Sequence, residues 1–217
     1  MRLTTAPISI QLLEINILTA DLARRRHRMF DEVDLVLADE FAQRAHDGQT
    51  RNTGDDSAPQ VPYIVHPRAV RAILETEHPN PQVRQSWLLA VALLHDVLED
   101  CDVHHNELTA LFGEDVSSAV RALSKQLRAV PNARKTDDQY WQVLRQSPLP
   151  IRQVKAADRI DNLRSCLKWP RERLARKYLE ETPRCVLPMI ADDPFLHELL
   201  QQLLDQLAHS YGSAPNS

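Results

Sequence analysis

Apolar residues along this chain recur at three- and four-residue intervals, the spacing that lines one face of a helix. Leu12, Ile15, Leu18 and Leu22 mark a helix over residues 8–30, and Val33, Leu37, Phe41 and Ala45 mark a second over 31–46. Residues 47–62 lose the pattern. Gly48, Gly54, Asp55, Asp56, Ser57 and Pro59 predict a loop there, long for a compact domain and so a place to look for function. Helical spacing resumes over 63–77, with Pro67 tolerated in the first turn, and His78-Pro79-Asn80-Pro81 ends it. Residues 82–100 read as a central helix whose start, Trp87 to Leu94, is apolar enough to be core. Short helices are expected over 106–112, closed by Gly113, and over 115–125 and 137–145, with a charged loop at 127–136. Residues 151–167 form an amphipathic helix with Val154, Ala157, Ile160 and Leu163 facing inward; helices over 170–181 and 195–211 complete the series. Neither strand-like alternation nor an internal repeat stands out. The pattern predicts an all-α single domain, a helix bundle over 31–211, with an N-terminal helical extension over 1–30 and a frayed tail over 212–217.

Composition narrows the class. A chain of 217 residues can bury one substantial core, and 4 Gly with 5% aromatics favour helices over strands. A formal net charge of −4 gives no global basic field, so nucleic acid is not an expected partner. The run Arg24–Arg28 then reads as a solvated face or a partner contact. Gln11, Glu14 and Asn16 interrupt the apolar run Ile8–Leu18, which is too short and polar for a membrane span. Cys101, Cys166 and Cys185 are odd in number and lack C-x-x-C spacing, which fits a reducing compartment and a cytoplasmic protein. The N-terminal helix offers a surface for a homo-oligomer.

The chemistry concentrates in residues 91–101. His95, Asp96, Glu99 and Asp100 fall within six positions, and on a continuous helix His95 and Glu99 share a face, as do Asp96 and Asp100. Carboxylates this close to a buried helix repel one another unless paired, and a divalent cation removes the conflict. An exposed acidic helix end is the plain alternative. His66 stands at the mouth of a helix and Asp158 in an otherwise apolar helical stretch. Taken singly, the first reads as a capping or surface histidine and the second as a salt-bridge partner. Taken with His95 and Asp96, they supply two imidazoles and two carboxylates, a mixed set that suits Mn²⁺, Fe²⁺ or Zn²⁺. Glu99 is placed to accept a proton from water and Asp100 to hold that water. Arg51, Lys125, Lys155 and Arg159 are candidate contacts for a polyanion, with ion pairs to nearby acids equally open. Asn162, four residues after Asp158, would face the same pocket, where its amide could meet a ribose oxygen or a base edge; a supporting partner of other side chains or a solvent-facing residue is the plain alternative.

The order His66, then His95-Asp96, then Asp158 resembles the HD-superfamily metal-dependent phosphohydrolases. Phe41-Ala42, Ala45 to Arg51, Pro62-Tyr63-Ile64, His66-Pro67, the doublet Glu99-Asp100 after His95-Asp96, and Lys155 to Arg159 with Asn162 are similar to the Rel/SpoT hydrolase domain. The likeness runs over about residues 38–205 and is nearest to a stand-alone small alarmone hydrolase. It implies an HD-domain bundle with His66, His95, Asp96 and Asp158 as ligands, usually of Mn²⁺. It implies that Glu99 and Asp100 orient and activate the attacking water, that Arg51 packs on the base, and that Asn162 and Ser165 touch the nucleoside. The implied reaction removes the 3′-pyrophosphate of (p)ppGpp, and some small members also act on (p)ppApp. Asn52 stands where the pattern has a basic residue, and the loop Thr53–Val61 is longer than common, which leaves base choice open. The same scaffold could serve another nucleotide, or bind one as an inactive bundle.

Overall fold

A helix with no polar face organises the molecule. The computed structural model describes residues 33–51 and 60–211; the N-terminal extension and its basic run, residues 52–59 of the loop, and the tail from 212 lie outside the described residues. In chain order the elements are α1 (Leu35–Ala45), the strands β1 (Thr50–Arg51) and β2 (Val61–Pro62), α2 (Val65–Ala72), α3 (Ser86–Leu94), α4 (Val97–Asp100), α5 (His105–Leu123), α6 (Asp137–Gln146), α7 (Leu149–Lys168), α8 (Glu172–Glu181) and α9 (Pro194–Tyr211). Every residue from Leu88 to Leu94 in α3 is buried. A helix apolar on all sides must be surrounded, and α1, α2, α5 and α7 enclose it. α9 lies along the far side of α7, so α7 is packed from both flanks and can carry buried polar groups inward. The result is an all-α single domain. No described helix is long and apolar enough to cross a membrane.

Three departures from the periodicity matter for the site. The expected continuous helix over 82–100 is broken twice: Gln85 is extended (φ −63°, ψ 135°), and Asp96 sits at φ −100°, ψ −9° between α3 and α4. The second break moves Asp96 out of helical register, into the sparsely populated bridge region where many active-site residues sit. The 63–77 helix is α-helical only over Val65–Ala72 and continues as a wider π turn over Ile73–Glu77. β1 and β2, not expected from the sequence, pair antiparallel with Thr50 opposite Pro62 and Arg51 opposite Val61. Two residues per strand are too few for alternation to register. Gly113 does separate two helical stretches, but as a kink within α5 at φ +85°, a conformation that a side chain disfavours.

Capping fixes the ends. Asp34 accepts hydrogen bonds from the Val36 and Leu37 amides, and Thr136 with Gln139 closes a capping box on α6. A buried polar knot secures α9. One Asp193 oxygen accepts from the Leu196 amide at 3.1 Å, and the other meets His78 Nε2 at 2.9 Å and Gln153 Nε2 at 2.7 Å. The Asn80 amide donates to His78 Nδ1, so Nε2 carries the proton toward Asp193. Removing the carboxylate leaves buried donors unpaired and uncaps α9. Asp193→Ala is therefore expected to lower unfolding free energy by about 3 kcal/mol, read by chemical denaturation, with divalent-metal binding retained.

Candidate metal centre

Three separated segments bring their side chains within a few ångströms of one another. The first turn of α2 presents His66, whose amide is anchored on the Tyr63 carbonyl. The C-terminal end of α3 presents His95, and the turn that follows frees Asp96 while its carbonyl accepts the Glu99 and Asp100 amides. The middle of α7 presents Asp158. Asp96 Oδ2 lies 3.1 Å from His95 Nε2 and 3.5 Å from His66 Nε2. Asp158 Oδ1 lies 3.2 Å from His66 Nε2 and 3.8 Å from His95 Nε2. His66, His95 and Asp96 each offer a ligand atom within 4.8 Å of the others, a grouping able to hold a metal ion.

The histidine tautomers follow from their far nitrogens. His95 Nδ1 lies 2.9 Å from the Ala92 carbonyl, which can only accept, so Nδ1 carries a proton. His66 Nδ1 faces the Asp161 carboxylate at 2.7 Å and donates to it. Both Nε2 atoms therefore turn toward Asp96 and Asp158. His95 Nε2 is buried, and its nearest acceptor is Asp96 Oδ2 at 3.1 Å, too poorly aligned to count as a full hydrogen bond. A buried nitrogen without a well-aligned partner, facing two carboxylates, is what a cation at that point would satisfy.

The electrostatics agree. Burial works against a charged His95, but Asp96 and Asp158 outweigh it and raise the imidazole to about 9. Burial likewise opposes ionisation of Asp96 and Asp158. The two histidines overcome it for Asp96; Lys155 and the same histidines hold Asp158 well below the usual carboxylate range. The site thus gathers positive charge wherever it can.

The acidic doublet sits beside this point. Glu99 Oε2 accepts from the Lys125 amide at 2.7 Å. Burial, with Asp96 and Asp100 nearby, lifts its carboxyl above the ordinary range despite that hydrogen bond. Asp100 is raised chiefly by burial and then by Asp96. The Tyr63 hydroxyl spans the two acidic groups, at 2.7 Å from Asp96 Oδ2 and 3.2 Å from Asp100 Oδ2.

Two cavities open on the site, and His66 lines both. One, of about 260 Å³, is walled by Glu99, Lys125, Tyr140, Lys155, Asn162 and Lys177 among others. The second, of about 170 Å³, is lined by Arg51, Val61, Asp161, Ser165 and Trp169. A family model for the HD domain matches residues 38–192.

The chain belongs to the HD-domain family. It is 35% identical over 146 residues to the guanosine-3′,5′-bis(diphosphate) 3′-pyrophosphohydrolase of Vibrio cholerae, covering 64% of this chain and 19% of that protein. It is 30% identical over 200 residues to the GTP pyrophosphokinase rsh of Brucella ovis, covering 88% of this chain and 24% of that one. The chain thus spans about a fifth to a quarter of the length of these curated relatives. Among solved structures, that of a metazoan ortholog of SpoT described as hydrolysing ppGpp superposes with a TM-score of 0.60. The identity is 24%, with 82% of this chain and 96% of that chain covered, a likeness of fold.

Within this HD domain the expected substrate contacts are distributed unevenly. Arg51 and Ser165 share the smaller cavity; Asn162 and Lys125 line the larger one. Asn162 turns its amide onto Asp158 Oδ1 at 2.5 Å, and Ser165 Oγ accepts from Arg171. The four basic candidates all have acidic partners: Arg51 with Asp161, Lys125 with Asp137, Lys155 with Asp158, and Arg159 with Glu181. Lys125 also reaches the site through its backbone amide on Glu99, a role that side-chain chemistry does not suggest. Tyr63 and Asp161 were given no role from the sequence. Asp161 follows Asp158 by three, the helical offset that keeps neighbours on one face, while Tyr63 sits in the turn that leads into α2. Behind Tyr63, His46 Nδ1 lies 2.9 Å from Gln49 Oε1 and 3.3 Å from the Cys101 sulfur, and burial pushes the Cys101 thiol up to about 12.

Because the metal-free His95 is raised to about 9, it is protonated at pH 7 and must lose that proton to become a ligand. Mn²⁺ binding at pH 7 is therefore expected to release about one proton and to weaken as pH falls. Calorimetry in buffers of different ionisation enthalpy measures this directly. A buffer-independent heat would contradict it.

Proposed function

We propose that this HD domain is a metal-dependent phosphohydrolase that removes the 3′-pyrophosphate of (p)ppGpp, with (p)ppApp as a second substrate, acting in the cytoplasm. The observation that carries the reading is the convergence of His66, His95, Asp96 and Asp158 beside Glu99 and Asp100 at the wall of a cavity that Lys125, Lys155, Arg159 and Lys177 also line. The name of the Vibrio relative, and the described activity of the metazoan protein, support the substrate class. Mn²⁺ is the proposed ion; Fe²⁺ and Zn²⁺ suit the same donors. Such an ion supplies Lewis acidity toward a phosphoryl oxygen and lowers the pKa of water.

The side chains supply the rest. Glu99 receives the proton of the attacking water. The Lys125 amide keeps Glu99 in place, and Tyr63 holds Asp100 toward the same side. Lys155 and Asn162 fix Asp158 so that one oxygen stays directed at the histidines. The purine sits in the smaller cavity against Arg51, and the phosphates extend into the larger one past His66. Attack at the 3′-phosphorus breaks its bond to the ribose oxygen, which leaves as a hydroxyl; pyrophosphate takes up the water's oxygen. Ionised Glu99 is the active form, so the rate is expected to fall once pH is low enough to protonate it.

Two experiments test this. Asp96→Ala and Asp158→Ala are expected to lose both Mn²⁺ and activity, whereas Glu99→Gln keeps the ion and loses roughly 10²- to 10⁴-fold in kcat. A Glu99→Gln enzyme that turns over like wild type would remove Glu99 as the base. Chromatography of products from ppGpp and ppApp with Mn²⁺ present should show released pyrophosphate; its absence from both would end the alarmone reading.

A further inference from the structure

The oxygen that orients His66 is shared with a second partner. Asp161 Oδ2 lies 2.7 Å from His66 Nδ1 and 3.0 Å from Arg51 Nη2. The Arg51 side chain is 8% exposed and that of Asp161 18%, so water screens this contact poorly. Arg51 stands on β1, Asp161 on α7 and His66 on α2, and both charged residues line the smaller cavity, away from the Asp96 side of His66. A carboxylate on the far nitrogen of a metal-binding histidine fixes the ring and makes its other nitrogen a stronger donor. A carboxylate free to change rotamer does this poorly. Here the ion pair with Arg51 opposes that freedom.

We propose that Asp161 is a positioning residue of the metal centre, and that Arg51 acts on that centre from the neighbouring cavity by holding Asp161 against His66. The inference rests on the metal reading above and extends it to a residue expected only to touch the base. It also reverses a simple electrostatic expectation. A guanidinium near a divalent site repels the cation, so Coulomb's law alone has the ion bind more tightly once Arg51 is removed. The relay has it bind more weakly.

The test is calorimetric titration of Mn²⁺ alone into the metal-free full chain as wild type, D161N, R51A and the double variant. D161N keeps an oxygen able to accept from His66 Nδ1 but drops the charge. It is expected to bind Mn²⁺ roughly 10- to 100-fold more weakly while its metal-free unfolding midpoint stays near wild type. R51A is expected to weaken binding by roughly 3- to 10-fold and to add little in the D161N background, because both act through one oxygen. R51A leaves Asp161 and His66 intact, so the sign of its effect decides the matter even if D161N fails to fold. D161N binding within about twofold of wild type, unchanged or tighter binding by R51A, or additive losses in the double variant would overturn the proposal. A wild type that binds no Mn²⁺ removes the metal reading and this inference together. A wild type that binds beside an indifferent D161N removes only this one.

Discussion

Two imidazoles and two carboxylates are confined to a few ångströms, at the first turn of α2, the end of α3 and the middle of α7, on helices that cannot move apart without exposing α3. That confinement is the constraint on which the rest depends. Unpaired charge at such depth is costly, and the molecule answers it in layers. Asp158 is flanked by Lys155 and Asn162, Asp96 by Tyr63, His66 by Asp161, and Asp161 by Arg51. Each layer satisfies the previous one and hands a smaller imbalance outward. At the centre, His95 Nε2 is left with no well-aligned hydrogen bond.

The same layering explains why a bundle with a plain apolar core has so many buried polar residues on one helix. α7 buries Gln153, Asp158, Arg159 and Ser165 as well as Val154, Ala157, Ile160 and Leu163. It can do so because α9 covers its outer flank while α2 and α3 receive its inner one. Gln153 ties into the Asp193 knot that caps α9, and Arg159 stacks on Tyr178 while pairing with Glu181. The site is thus braced from several directions, the kind of preorganisation that a hydrolytic centre needs.

Much of this was legible in the sequence, and the remainder was hidden for identifiable reasons. Helix spacing gave the all-α architecture, and His66, His95, Asp96 and Asp158 stood out as a set, by their donor types and by an order that resembles the HD pattern. The break at His95-Asp96 was not visible: residues 86–94 are so uniformly apolar that periodicity carries no phase from which a change of direction could be read. The partners of Arg51 and His66 were hidden by distance, since Asp161 follows His66 by 95 positions. The basic residues illustrate the same limit. Composition shows cations near a site but not that each has already been claimed by an acid, nor that Lys125 acts on Glu99 through its backbone.

An anomalous-scattering map of Mn²⁺-loaded crystals is the most direct measurement of the central claim. The account predicts one strong manganese peak per chain within coordinating distance of His66 Nε2, His95 Nε2, Asp96 and Asp158, with Glu99 beside it and not bonded to it. A peak elsewhere, or none at that point in protein shown to be folded and exposed to excess Mn²⁺, would contradict it.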